Sequence, residues 1–313
     1  NKMKLPLYFN PKNSLKLFGL TGDFILFKKL YLENKLPRTF MLSGKKGSGK
    51  STLINHLMFY IFDKTNYDEK ILELKTKSFF YNQFSNNMFP NIIYVNGSDY
   101  KATKIDEIRN LKKMIHQTSI SNKPRFIIFD DVELFNNNSL NALLKIVEEP
   151  TSDNFFILIN NKSKPLLQTI QSRCLNFKII INEQKRQNII ESLIKRLNID
   201  ILINPIKSQL TPGLFIKFNY MFDENKILLD DDFQKNLESL LKLYKKDKDI
   251  IFFDMILFLT NYYFNNLKSS DLFTREKIID YKNFVFENVN KFFLYNLNHN
   301  ALLTSINNKM NEK

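Results

Sequence analysis

Cysteine is almost missing from this chain: Cys174 is the only one. Within one chain that excludes a disulfide framework and a cysteine-built zinc module. Long hydrophobic runs are missing too. The most apolar stretch, 250–264, is broken by Asp254 and Asn261 and reads as a buried helix, not a membrane span. The first residues, Asn1-Lys2-Met3-Lys4-Leu5, contain no hydrophobic signal segment, so a cytoplasmic protein is expected. Position 1 is not Met, which leaves the true start open. Glycine is scarce at seven residues, and Arg supplies only seven of the 46 basic side chains.

The length of 313 residues allows two or three domains and a sizeable core. The formal net charge is +14 and the pI near 9.5. Such an excess suits a polyanionic partner, most naturally nucleic acid. The crowding of Lys, Asn, Ile and Phe explains it equally well as the composition of an AT-rich genome. Charge therefore supports DNA binding without carrying it.

The first 180 residues alternate short apolar runs with helical patterns, which predicts a parallel sheet with helices on both faces. Strands are predicted over 39–42, 91–95, 125–129, 155–159 and 175–180, and helices over 50–62, 104–117 and 139–147. The segment 64–89 is polar and irregular and reads as an insertion or a long loop. Beyond Asn182 the strand signal stops. Helices are predicted over 183–197, after Pro212-Gly213, and over 231–244, 249–266, 274–297 and 298–308. The fold class is an α/β nucleotide domain (1–181), a small helical domain (182–226) and an all-helical domain (227–313).

The run Gly44-Lys45-Lys46-Gly47-Ser48-Gly49-Lys50-Ser51-Thr52 follows a predicted strand and opens a predicted helix, which is the context a phosphate loop requires. The glycines let backbone N–H groups turn toward phosphate oxygens, and the helix N-terminus adds partial positive charge. Lys50 is expected to reach the β- and γ-phosphates of ATP, and the Ser51 hydroxyl to ligate Mg²⁺. The strand 125–129 then delivers Asp130 and Asp131 at its C-terminal end, where open α/β sheets place their chemistry. Asp130 suits the Mg²⁺ shell. Asp131 stands where a water-activating Glu is usual, and one methylene fewer withdraws the carboxylate by about an ångström, which can cost of order a hundredfold. Glu133, two residues on, is expected to point elsewhere.

The register of Asp130-Asp131-Val132-Glu133-Leu134-Phe135, Asn141-Ala142-Leu143-Leu144-Lys145 and Glu148-Glu149-Pro150 resembles the AAA+ clamp-loader family, as do Asn160-Asn161 and Ser172-Arg173-Cys174. The match runs over roughly residues 15 to 220 and leans to the delta-prime branch. The resemblance implies an AAA+ phosphate-loop domain, a helical lid and a helical collar that holds a heteropentamer with tau/gamma-type and delta-type subunits. It implies ATP and Mg²⁺ as cofactors and a sliding clamp and primer-template DNA as partners, while the single cysteine leads us to expect no zinc. By position it makes Arg173 an arginine finger for a neighbouring subunit's ATP and Asn161 the first sensor, which positions the attacking water or senses the γ-phosphate; capping of the strand end explains Asn161 nearly as well. The start of the helix near 104–117 resembles a DNA contact, with Lys101, Thr103 and Lys104 on phosphates. A capped helix with a solvated lysine face explains that segment equally well. Three departures stand out: Asp131 for Glu, Leu214 for the second sensor's Arg with Lys217 one turn later, and no four-cysteine module. The first two favour a subunit that hydrolyses ATP slowly; the third leaves the segment 64–89 without an explanation. A hydrolysing motor subunit and a non-catalytic interaction subunit with a vestigial site remain the alternatives.

Overall fold

A computed structural model describes residues 6–75, 77–97, 123–148, 153–229, 231–267 and 274–311. Its centre is a parallel sheet of β1 (Thr39–Ser43), β4 (Ile92–Asn96), β5 (Arg125–Asp130), β6 (Asn154–Asn160) and β7 (Leu175–Lys178), in the order β4-β5-β6-β1-β7. Every residue of β5 and β6 is buried, as a strand covered on both faces requires. Alternation divides their side chains between two cores. Phe126, Ile128, Phe155, Ile157, Phe40 and Leu42 face one cluster; Ile127, Phe129, Phe156, Leu158 and Met41 face the other. Each such side chain contributes about 1.5–3 kcal/mol on burial.

The first cluster is closed by α1 (Thr21–Leu32) and α2 (Lys50–Phe62), the second by α4 (Asn137–Glu148) and the short α5 (Gln168–Gln171). Helix α1 has no counterpart in the sequence reading. Only Phe24 and Phe27 are buried along it, while Ile25 and Leu26 are exposed, so it lacks a clean apolar stripe. The predicted helix over 104–117 lies outside the described residues.

The segment 64–89 corrects the loop expected there. It forms a two-stranded hairpin, β2 (Tyr67–Asp68) with β3 (Glu73–Leu74), and a helix α3 (Phe79–Ser85). Ser78 caps α3 by accepting from the Tyr81 N–H at 2.9 Å. Phe84 meets Phe59 edge-on at 5.2 Å, and Phe80 stacks on Phe62 at 5.8 Å. Buried His56 ties α2 to the hairpin. Its Nε2–H donates to the Ser14 carbonyl at 2.8 Å, which leaves Nδ1 to accept from the Tyr67 hydroxyl at 2.9 Å.

The described chain divides into two compact units, 6–196 with 211–214, and 197–210 with 215–311. In the second unit only helices are found among the described residues: α7 (Pro205–Ser208), most of α8 (Pro212–Glu224), α9 (Phe233–Asp247), α10 (Ile250–Asn266), α11 (Arg275–Tyr295) and α12 (His299–Asn311). The last helix of the first unit, α6, spans Glu183–Leu197. Side-chain caps start α9, α10 and α11, where Asp232, Asp249 and Thr274 accept from Lys235, Ile251 and Lys277 amides. The interior is built from Leu237, Leu240, Met255, Ile256, Val285, Val289 and Ile306. Among the described residues no helix is long and apolar enough to cross a membrane.

Candidate nucleotide site

Sheet register decides what gathers at the C-terminal edge. Asn96 pairs with Asp130, and Ser43 with Asn160, so four polar residues end adjacent strands within one residue of a common level. From Ser43 the chain enters the glycine loop. Gly47 and Gly49 adopt φ +76° and +86°, which a side chain would strain. A Cβ on Gly47 would also sit 2.5 Å from the Thr211 hydroxyl oxygen. Thr211 donates to the Lys46 carbonyl at 2.6 Å, and the Gly213 N–H donates to the Gly47 carbonyl at 2.9 Å. Segment 211–214 therefore lies directly on the loop, with Leu214 against Gly47.

Lys50 opens α2 with its ammonium turned back into the loop. Its Nζ donates to the Gly44 carbonyl at 2.9 Å, the Lys45 carbonyl at 2.8 Å and the Ser48 hydroxyl oxygen at 3.2 Å. Burial pulls its pKa down to about 8, against the opposing pull of Asp130, Glu133 and Asp131. Ser51 and Thr52 follow in the first turn of α2, whose leading N–H groups have no intrahelical acceptor.

Asp130 is saturated with donors. Its Oδ2 accepts from the Ser51 hydroxyl at 2.6 Å and the Tyr94 hydroxyl at 2.7 Å. Its Oδ1 accepts from the Asp131 N–H at 2.9 Å and the Asn161 amide at 3.4 Å. Asp131 sits at φ +50°, and its Oδ1 accepts from Asn161 Nδ2 at 2.7 Å. Burial, then the charge of Asp130, raises the Asp131 pKa, while the Asn161 bond lowers it. Glu133 turns away from these two and binds the turn that follows β6. A hydroxyl and a carboxylate converging as Ser51 and Asp130 do fit Mg²⁺, which takes one or two protein oxygens and fills its shell with water and phosphate.

The structure thus gathers Gly44, Gly47, Ser48, Gly49, Lys50, Ser51, Asp130, Asp131 and Asn161, and leaves Arg173 elsewhere. The Arg173 side chain is half exposed; its Nε donates to the Glu148 carboxylate and its Nη1 to the Thr169 carbonyl at 2.9 Å. Cys174 is buried in the second core cluster, and burial pushes its thiol up to about 11, so it is inert as a nucleophile at neutral pH. Lys101, Thr103 and Lys104 lie outside the described residues, as do Glu149 and Pro150. Sequence reasoning missed Tyr94. Only the register of β4 on β5 brings its hydroxyl to Asp130, and no local spacing encodes that. A cleft of about 340 Å³ is lined among others by Phe18, Gly19, Lys185, Asn188 and Ser192 and by no residue of the glycine loop.

A family profile described as "DNA polymerase III, delta subunit" matches residues 23–207. DNA polymerase III subunit gamma of Buchnera aphidicola subsp. Schizaphis graminum is 29% identical over 190 residues, covering 60% of this chain and 51% of its own length. Subunit delta' of Buchnera aphidicola subsp. Acyrthosiphon pisum is 29% identical over 216 residues, covering 64% and 62%. Replication factor C subunit 3 of Saccharomyces cerevisiae is 27% identical over 172 residues, covering 54% and 43%. The chain spans about half the length of the curated relatives it matches. A gamma-subunit-related protein of Thermotoga maritima superposes with a TM-score of 0.47 at 14% identity, covering 90% of this chain and 96% of that one.

Proposed function

The chain belongs to the DNA polymerase III delta-subunit family of AAA+ clamp loaders, and from that premise we propose that it is a delta-prime-like subunit that holds ATP and assists its neighbours' hydrolysis. One observation carries the nucleotide reading: Lys50 and Ser51 from the start of α2, Asp130 from the end of β5 and Asn161 from the turn after β6 gather beside the glycine loop. Lys50 would exchange the loop carbonyls for phosphate oxygens. Ser51 and Asp130 would hold Mg²⁺, which neutralises phosphate charge when bound.

Own hydrolysis is slow in this reading. The Asp131 carboxylate is one methylene short of a Glu, and its Oδ1 is taken by Asn161. Arg173 would instead reach the ATP of an adjacent tau/gamma-type subunit, where a guanidinium offsets charge developing on the γ-phosphate. Exposure of Arg173 and its single-layer anchoring on Glu148 and Thr169 suit an outward role. The helical segment 227–313 would form the collar of a heteropentamer, with 182–226 as the lid. A sliding clamp and primer-template DNA are the partners of such an assembly.

The test mixes this chain with ATP-hydrolysing clamp-loader subunits of the same cell and follows DNA-stimulated ATPase activity. Arg173→Ala should lower the rate by about three decades, while ATP binding to the isolated chain is unchanged. Lys50→Ala should abolish that binding. An unchanged mixture rate in Arg173→Ala would refute the trans role. A second reading, an interaction subunit with a vestigial site, is favoured by one contact: segment 211–214 is bonded onto the loop. Failure of the isolated chain to bind ATP by calorimetry decides for it.

A further inference from the structure

We infer that Glu133 decides how the site tells a nucleoside triphosphate from a diphosphate, as a positioning residue that fixes the turn carrying Asn161. The inference rests on the nucleotide reading above. Glu133 follows β5 in a short 3-10 turn and is only 1% exposed. A buried carboxylate needs donors, and the turn after β6 supplies three of them. Oε2 accepts from the Asn161 N–H at 3.1 Å; Oε1 accepts from the Ser163 N–H at 3.1 Å and the Ser163 hydroxyl at 2.7 Å.

That turn needs holding. Its middle residue, Lys162, sits at φ +55°, an uncommon conformation for a side-chain-bearing residue, with its N–H bonded to Asn160 Oδ1 at 2.8 Å. With its backbone N–H committed to Glu133, Asn161 sends its side-chain amide the other way, to 2.7 Å from Asp131 and 3.4 Å from Asp130. Asp130 accepts from the Asn161 amide and also from the hydroxyl of Ser51, the residue that follows Lys50, so the amide meets the carboxylate at the edge of the proposed phosphate site. The γ-phosphate is the chemical difference between ATP and ADP, and Asn161 is the neutral donor placed to read it. Glu133 touches neither nucleotide.

Glu133→Gln keeps the shape but sets an NH₂ against a backbone N–H, a donor facing a donor. The experiment measures ATP and ADP affinities by titration calorimetry for the wild type, Glu133→Gln, Asn161→Ala and the double variant. The wild type should prefer ATP. Each single variant should cut the ATP-to-ADP affinity ratio about tenfold, the scale of one hydrogen bond to a charged group. ADP affinity should stay within about twofold, and the double variant should be no worse than either single one, as for residues acting in one network. Ser163→Ala removes one of the three bonds without altering charge and should shift the ratio in the same direction; it carries the test if Glu133→Gln does not fold. An unchanged ratio in the Glu133 and Ser163 variants, with a reduced one in Asn161→Ala, overturns the role of Glu133. A wild type that binds neither nucleotide overturns the nucleotide reading itself.

Discussion

At neutral pH the Lys50 ammonium is held charged inside the glycine loop, and raising the pH acts on it in two opposite ways. Its pKa in the fold is about 8 against an ordinary 10.5, so between those values the unfolded chain binds the proton and the folded chain does not. Stability therefore rises with pH across that window through this group. In the proposed function the ammonium meets phosphate, so nucleotide affinity should fall as pH rises through about 8. Titration calorimetry at pH 9 in buffers of different ionisation enthalpy should detect uptake of up to one proton on ATP binding, and at pH 7 close to none. Lys50 and Ser51 were legible in the sequence because a phosphate loop is a local spacing. Tyr94 and the partners of Glu133 were not, because the groups they meet lie on or just beyond other strands.

Two phenylalanines of one helix turn the correction over 64–89 into an experiment. In α3, Phe84 is 2% exposed and packs on Phe59 and Phe80, whereas Phe79 is 78% exposed. Phe84→Ala should cost about 3–5 kcal/mol in denaturant unfolding, from lost transfer energy and a cavity. Phe79→Ala should fall within about 0.5 kcal/mol of the wild type. Equal effects would mean that α3 does not dock as described. The sequence hid this segment because its pieces are short, strands of two residues and a helix of seven. Its aromatic anchors are spaced four apart in a polar background. The long, uniformly apolar strands β5 and β6 were plain, since both faces are buried.

For the whole molecule, the +14 charge is the quantity with a measurable consequence. If the excess serves a DNA partner, a random duplex should bind with an affinity that falls steeply with salt. Engaging only two phosphates gives about a tenfold loss between 50 and 200 mM salt. Fluorescence anisotropy with a labelled duplex measures it, and a flat salt response would assign the charge to composition alone. Sequence identity of the duplex should not matter, since phosphate contacts position without specifying.

The sequence by itself determined that a glycine loop precedes an acidic strand end, that five strands make a parallel sheet, and that among the described residues helices alone follow Asn182. Such features are local: a glycine spacing, an apolar run, or a period of 3.6 residues is complete within a dozen positions. Tertiary structure alone decided which groups meet. The order β4-β5-β6-β1-β7 sets β5 between β4 and β6, so Tyr94 from one side and Asn161 from the other reach Asp130. The same order lets Glu133 reach across to the turn after β6. Neighbours that are 28 to 36 residues apart in sequence are joined only by the sheet's register, and the register is a property of the folded chain.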